Sequence, residues 1–261
     1  MKRRVLLAAV GAGLLAHGPA RADVLDNVMS SKKLRVATDL AIPPAGMVDA
    51  NMQPTGSDVE TARLLAHDWG VELEFVQTTG ATRIPNVQTG KADIIISTLS
   101  VTPERAKVID FSKPYAVLQS VIGAKKDLNL KDWADLKGKT VAVTRGTTQD
   151  TELTAMSGER GFRMARYEDD ATLLTAAVTG QADIVATSAS LVNQMGAKNP
   201  ERGFEPKFLI RNFDLAIGVK KGEPRLLEKL NEWITENLHN GKLNAIFKKY
   251  YNADLPAEMR S

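Results

Sequence analysis

Residues 89–97 read TGKADIIIS, and residues 179–187 read TGQADIVAT. The phrase occurs twice, 90 positions apart, and each part of it has a physical reading. The glycine (Gly90, Gly180) ends a helix in a left-handed turn that other residues resist. The apolar run Ile94-Ile95-Ile96 is hydrophobic on both faces, as a strand buried in a parallel sheet must be. Hydroxyl residues follow, at what would be the C-terminal end of the strand.

The surrounding segments repeat the same order. Lys33–Thr38 alternates polar and apolar residues and predicts a strand. Residues 58–69 carry apolar side chains at helical spacing, with Gly70 as a C-terminal cap. Residues 71–76 alternate again, 83–88 suit a short helix, and 92–97 predict the buried strand. In the second half, 139–144 predicts a strand, 147–155 and 169–178 predict helices, and 182–186 the matching strand. The fold class is therefore α/β, with two doubly wound β-α-β-α-β units. Ligands of open α/β sheets bind outside the carboxyl ends of the strands. Two such lobes would face each other across a cleft. Residues 224–251 form an amphipathic helical tail, read as packing on a lobe or, alternatively, binding a partner.

Lys2, Arg3 and Arg4 precede an apolar run of 12 residues, Val5 to Ala16, and Ala20-Arg21-Ala22 is a small-x-small cleavage pattern. Residues 1–22 thus read as a secretory signal peptide, the alternative being a buried N-terminal helix. The leader holds four cations and no acid, so its removal takes 34 Lys and Arg down to 30, against 31 Asp and Glu. That near-neutral balance points to neither nucleic acid nor an anionic membrane surface as a partner. There is no cysteine, which excludes disulfides and thiolate metal sites. The three histidines are His17, His67 and His239, too scattered for a catalytic triad or a histidine metal cluster. No metal, cofactor or catalytic constellation is expected. Export and the lack of a later apolar span predict a periplasmic or extracellular protein.

The residues that carry chemistry follow the two repeated strands. Ser97, Thr98 and Ser100 place three hydroxyls at the end of the first, and Thr102-Pro103 has the form of a helix start. Arg105 then falls in the first helical turn, where a cation opposes the helix dipole. Its planar fork suits a carboxylate of a ligand, or an ion pair with Glu104 or Asp110. Gly146-Thr147-Thr148 lies between a strand and a helix, where free N–H groups favour an anion. Asp39, just past the first strand, suits an ammonium group or a turn cap.

Leu99-Ser-Val-Thr-Pro-Glu-Arg105, Asp110-Phe-Ser-Lys-Pro-Tyr115, Asp135-Leu-Lys-Gly-Lys139, Gly146-Thr-Thr148 and Gly241-Lys-Leu243 together resemble the family 3 periplasmic solute-binding proteins of ABC transporters for polar amino acids. The resemblance runs from about Leu34 to Tyr251. It implies a periplasmic binding protein type II-like fold, with two lobes joined by two crossover strands. Lobe 1 would be residues 23–118 plus 213–261, and lobe 2 residues 119–212. It implies that Arg105 holds the ligand α-carboxylate, aided by main-chain N–H groups near Thr148, with Thr98 and Ser100 beside it. Asp39 lies where relatives line the ligand side chain.

Two departures stand out. Relatives usually grip the α-amino group with an Asp five residues after the second repeat's Asp, and here that position is Ser188. The aromatic residues that usually sandwich the ligand are replaced near Ile42, Ala45 and Gly80. Arg83, in Arg83-Ile-Pro85, and Val143-Thr144 look similar to glutamate/aspartate-type members, where this arginine reaches a side-chain carboxylate; otherwise Arg83 is an exposed helix residue. The resemblance implies an acidic or dicarboxylic amino acid as ligand, with a modified acid lacking the usual amine close behind. A membrane ABC permease is the implied partner, and a monomer the implied state. The alternatives are a cyclohexadienyl dehydratase-like enzyme and a soluble ligand co-sensor.

Overall fold

The computed structural model describes residues 23–260. The signal-peptide reading of residues 1–22 lies outside them.

Ten strands and nine helices follow one another in these residues: α1 (Val24–Ser31), β1 (Lys33–Thr38), β2 (Met47–Val48), β3 (Pro54–Thr55), α2 (Ser57–Trp69), β4 (Glu72–Gln77), α3 (Arg83–Gln88), β5 (Ile94–Ile95), α4 (Pro103–Ala106), β6 (Ile109–Ala124), β7 (Thr140–Thr144), α5 (Thr148–Arg160), β8 (Arg163–Tyr167), α6 (Asp170–Thr179), β9 (Ile184–Ser188), α7 (Ala189–Lys198), β10 (Glu205–Lys220), α8 (Pro224–His239) and α9 (Lys242–Tyr251). Eight strands form one sheet in the order β4-β1-β5-β10-β6-β9-β7-β8. β1 is parallel to β4 and β5, and β7 is parallel to β8 and β9. Between these parallel groups β6 and β10 run antiparallel to each other over their full 16-residue lengths. They are the two crossover strands of the expected α/β architecture.

The repeated phrase does what its chemistry suggests. Gly90 and Gly180 take φ of +76° and +91°, and Gly180 caps α6. Each following strand, β5 and β9, is buried between one parallel neighbour and one antiparallel crossover strand. Val141 and Val143 face one hydrophobic cluster while Ala142 faces another, so β7 is covered on both sides. Four hydrophobic clusters result. Two draw on residues 24–118 and 215–259, and two on residues 121–210.

Several boundaries differ from expectation. The strand expected at 92–97 is named only over Ile94–Ile95, because both neighbours overlap it in register there. The helical tail is two helices rather than one. Gly241, at φ +80°, breaks it, and the buried faces of α8 and α9 both join the cluster around β1. The hairpin β2–β3, α1, β8 and α7 are further elements beyond those expected. Among the described residues no helix is long and apolar enough to cross a membrane.

Candidate functional site

The carboxyl ends of β1, β5, β7 and β9 point toward one cleft. It closes around a cavity of about 30 Å³ lined by Ile42, Gly80, Arg83, Thr98, Ser100 and Leu118 with Thr147, Thr148, Gln149, Asp170, Thr187 and Ser188. That is room for about two water molecules. A larger groove of about 1000 Å³ runs along α8, away from these strand ends and lined by residues 113 and 224–240 only. Strand-end geometry favours the smaller cavity.

Of the expected residues, Arg83, Thr98, Ser100, Thr147, Thr148 and Ser188 line the cavity directly. Asp39, Ser97, Thr144 and Arg105 stand just behind that lining. Ser97 Oγ accepts from the Asp39 amide, and Thr147 Oγ1 donates to the Thr144 carbonyl. Arg105 is tied to the cavity wall by Nη1, which donates to the Ser100 carbonyl at 2.9 Å. Its Nη2 donates to the Gly146 carbonyl at 3.2 Å, across the cleft.

Arg105 sits on a single helical turn, Pro103–Ala106, capped by Thr102 Oγ1. With so short a helix the dipole objection to a cation there lapses. The alternative ion pair with Asp110 is not formed: Asp110 instead accepts from Lys221 Nζ and the Gly222 amide. Arg105 is 9 % exposed, and among the described residues no carboxylate pairs with it. Burial, aided by the charge of Arg83, pushes its pKa down to about 9. A buried guanidinium without a counter-ion is costly.

Arg83 is buried, not an exposed helix residue. Its Nη1 donates to the Ser97 carbonyl at 2.6 Å, and its Nε has no hydrogen-bond partner. Three buried carboxylates surround it electrostatically: Asp39, Asp170 and Asp58. Burial raises the pKa of each to about 6. Asp58 accepts from Tyr115 Oη and the Thr98 amide, both at 2.7 Å. Asp170 accepts from Thr144 Oγ1 at 2.5 Å. Among the described residues, no group of three or more His, Cys, Asp or Glu side chains is placed to hold a metal ion.

Ser188 lines the cavity and is also a helix cap. Its Oγ caps α7, accepting from the Leu191 amide at 3.2 Å, and it pairs with Ser190 Oγ at 3.0 Å. The hydroxyl is committed to the helix terminus, so it is a poor substitute for an amine-gripping carboxylate. Gly146 also differs: its N–H donates to Asp150 Oδ2 rather than standing free. Asp170, Asp58, Gln149 and Thr187 were not singled out from sequence. Asp170 had a signal: Asp169-Asp170 opens α6, directly opposite the first strand's Asp39 in the two-lobe arrangement. A doubled acid at a helix start reads as capping, and Asp169 does cap, accepting from the Thr172 amide.

Residues 34–253 match the profile of the bacterial extracellular solute-binding proteins, family 3.

The chain belongs to this family.

This solute-binding protein is 28% identical to an L-arginine-binding protein of Pseudomonas aeruginosa over 98% of both chains. Among solved structures it is similar to the P235GK mutant of ArgBP from T. maritima, at 33% identity and a TM-score of 0.81, covering 88% of this chain and all of the other. It is also similar to AncCDT-1, an ancestral amino acid-binding protein described as a precursor of cyclohexadienyl dehydratase. There the identity is 32% and the TM-score 0.78, with 88% of this chain and 100% of that chain covered.

Proposed function

We propose that this protein is the periplasmic substrate-binding component of an ABC amino-acid importer and works without a catalytic step. The ligand is an amino acid held between lobe 1, residues 23–118 plus 213–261, and lobe 2, residues 119–212. The division of the hydrophobic clusters supports those boundaries. The names of similar proteins support an amino acid as ligand.

The observation that carries the reading is Arg105, a buried cation at the cleft with no carboxylate against it. Two of its five N–H donors go to carbonyls, one on each side of the cleft. The remaining donors suit the ligand α-carboxylate, which would supply the missing counter-charge. The Thr98 and Ser100 hydroxyls and the main-chain N–H groups of Thr147 and Thr148 suit it as further donors, since the Thr147 and Thr148 hydroxyls are taken by the Thr144 carbonyl and Gln149 Oε1. An amino acid exceeds the 30 Å³ of the closed cavity, so entry requires the lobes to part.

The dicarboxylic ligand suggested by Arg83 fits this site poorly. Arg83 already faces Asp39, Asp58 and Asp170, so a second ligand carboxylate would meet an arginine outnumbered by three acids.

The test is a thermal-shift screen of the refolded protein against the amino acids and their α-carboxamides. A ligand at 100 times its Kd adds about 2.7 kcal/mol to stability. An amino acid should raise the unfolding temperature, and its α-carboxamide should not. Equal shifts from both would remove Arg105 from its role.

A dehydratase-like enzyme is a second reading, favoured by Asp170 alone. It is a cleft acid whose pKa of about 6 suits proton donation to a leaving hydroxyl. Turnover of prephenate or arogenate would reveal it.

A further inference from the structure

We infer that the chain is cut between Ala22 and Asp23 and that the α-ammonium this frees is received by Glu223, so that processing itself completes an ion-pair site at the start of α1. The inference rests on the export reading above and goes further, by assigning the new chain end a place in the fold.

The fold holds the chain firmly at this point. Leu25 and Val28 of α1 are buried in the same cluster as Leu226 and Leu230 of α8. Asp23 caps α1, its Oδ1 accepting from the Leu25 amide at 2.9 Å. The Val24 amide donates to Glu223 Oε2 at 3.0 Å, across 199 positions of sequence. Consecutive Cα atoms are about 3.8 Å apart, so the nitrogen of Asp23 stands within about 4 Å of a nitrogen that Glu223 already binds.

The groups around that nitrogen are short of positive charge. Asp23, Asp26 and Glu223 bring three carboxylates. Arg225 Nη1 serves two of them, Asp26 at 2.7 Å and Asp23 at 3.5 Å. Among the described residues no lysine or arginine forms an ion pair with Glu223, and Lys220, at the end of β10, acts on it only through space. Burial, and after it the neighbouring Asp23 carboxylate, hold the Glu223 carboxyl above its ordinary pKa. An ammonium at Asp23 is the second cation that this cluster lacks. The dipole of α1 opposes a positive charge at its start, and the three carboxylates around that charge outweigh it.

The sequence supplies the cut. Ala20-Arg21-Ala22 places small residues where a leader peptidase reads them, and Asp23 follows directly. Water adds across the amide bond between Ala22 and Asp23. Its oxygen leaves with the leader as the Ala22 carboxylate, and its two protons make the Asp23 nitrogen an ammonium. In the uncut chain the same nitrogen is a neutral amide. The processed chain is thus more stable than its precursor, and a chain cut at another bond lacks that gain.

The experiment expresses the full-length sequence, recovers the exported chain and reads its first residue by mass spectrometry. Thermal unfolding is then compared before and after acetylation confined to the α-amino group, at pH 7 and pH 10, in the parent and in Glu223→Gln. Glutamine keeps an oxygen for the Val24 amide and removes only the charge. The chain should begin at Asp23. At pH 7 acetylation should lower the unfolding temperature by about 3 °C, the effect of a pKa raised by about one unit in a chain of this size. An ordinary α-amino group titrates near about 8. Raised in the folded state, it stabilises fully below that pH and loses its effect as pH climbs through about 9, so the two forms should unfold together at pH 10. Asp23, Asp26, Glu223, Lys220 and Arg225 face the group in both forms, so their own titration cancels in the comparison. In Glu223→Gln the difference at pH 7 should fall to about half or less. Equal unfolding temperatures at pH 7, or a difference undiminished at pH 10 or in Glu223→Gln, overturn this inference and leave the export reading intact. So does a first residue other than Asp23 in a chain that has lost its leader. A chain recovered with residues 1–22 still attached overturns the export reading, and this inference with it.

Discussion

Thr98 takes a φ of +43°, a conformation that a β-branched residue adopts only under constraint. Asp58 supplies the constraint, holding the Thr98 amide while Tyr115 fixes the carboxylate from the other side. The strained turn aims the Thr98 and Ser100 backbone at the two arginines of the cleft. Arg105→Ala should therefore weaken ligand binding by about 100-fold, near 3 kcal/mol, because the ligand carboxylate would be buried without its partner. Titration calorimetry checks this, and a change within threefold would exclude the assigned role. The buried acids make a further prediction. Burial raises Asp39, Asp58 and Asp170 to about 6 from 3.8, so the folded protein binds protons more tightly than the unfolded chain. Their contribution to stability is then fully present below about pH 4 and is lost as pH rises through about 6. The unfolding temperature of the unliganded protein should gain from acidification between pH 7 and pH 5. That gain should shrink in Asp170→Asn, and an unchanged pH profile in the variant would count against the raised pKa.

Capping decides several elements of the site. Thr102 Oγ1 caps α4, Thr147 Oγ1 caps α5 and Ser188 Oγ caps α7. Ser188 ends β9 and Thr147 lies three residues past β7, so at these two the residue that starts the helix also borders the cleft, while Thr102 lies further along the chain from β5. This explains why hydroxyls at these positions are ambiguous in sequence. The same Ser188 satisfies the reading of a ligand-lining residue and that of a helix cap, and only the position of its oxygen separates them. Ser188→Ala should cost about 1 kcal/mol through the lost cap. That corresponds to roughly 2–4 °C in a domain of this size. Ligand affinity should stay close to the parent's, since the hydroxyl serves α7. A loss of affinity without a loss of stability would reverse that assignment.

Closure of the whole molecule leaves almost no space between the lobes at Gly80 and Gly146. A Cβ at Gly80 would stand 2.8 Å from the Arg145 carbonyl oxygen, and one at Gly146 would stand 2.8 Å from the Ala81 Cα. Both obstacles are backbone of the facing lobe, which cannot swing aside as a side chain does. Gly80 has no positive φ to protect, so Gly80→Ala isolates the steric effect from backbone strain. The variant should close incompletely and bind about tenfold more weakly, since binding energy is spent on a conformation the methyl opposes. Its unliganded unfolding temperature should stay within about 1 °C of the parent's. Small-angle scattering should show a smaller ligand-induced compaction than in the parent. Full compaction with unchanged affinity would mean that the lobes meet elsewhere.

The two-lobe α/β architecture is legible along the chain because it is written in local signals. Period-two strands, helix-ending glycines and strand-end hydroxyls each act within a few residues, and their repetition at 90–97 and 180–187 carries the architecture. The sequence also marked Arg83 and Arg105, since cations next to buried strands stand out along a chain. What it left open was charge balance. Whether Arg105 met Asp110 or a ligand, and whether Arg83 faced water or three acids, depends on residues 39, 58, 83 and 170 converging from four separate elements. Asp58 and Asp170 look like ordinary first-turn helix acids in sequence. Only the tertiary structure buries them beside one arginine, and electrostatic interaction follows distance in space rather than separation along the chain.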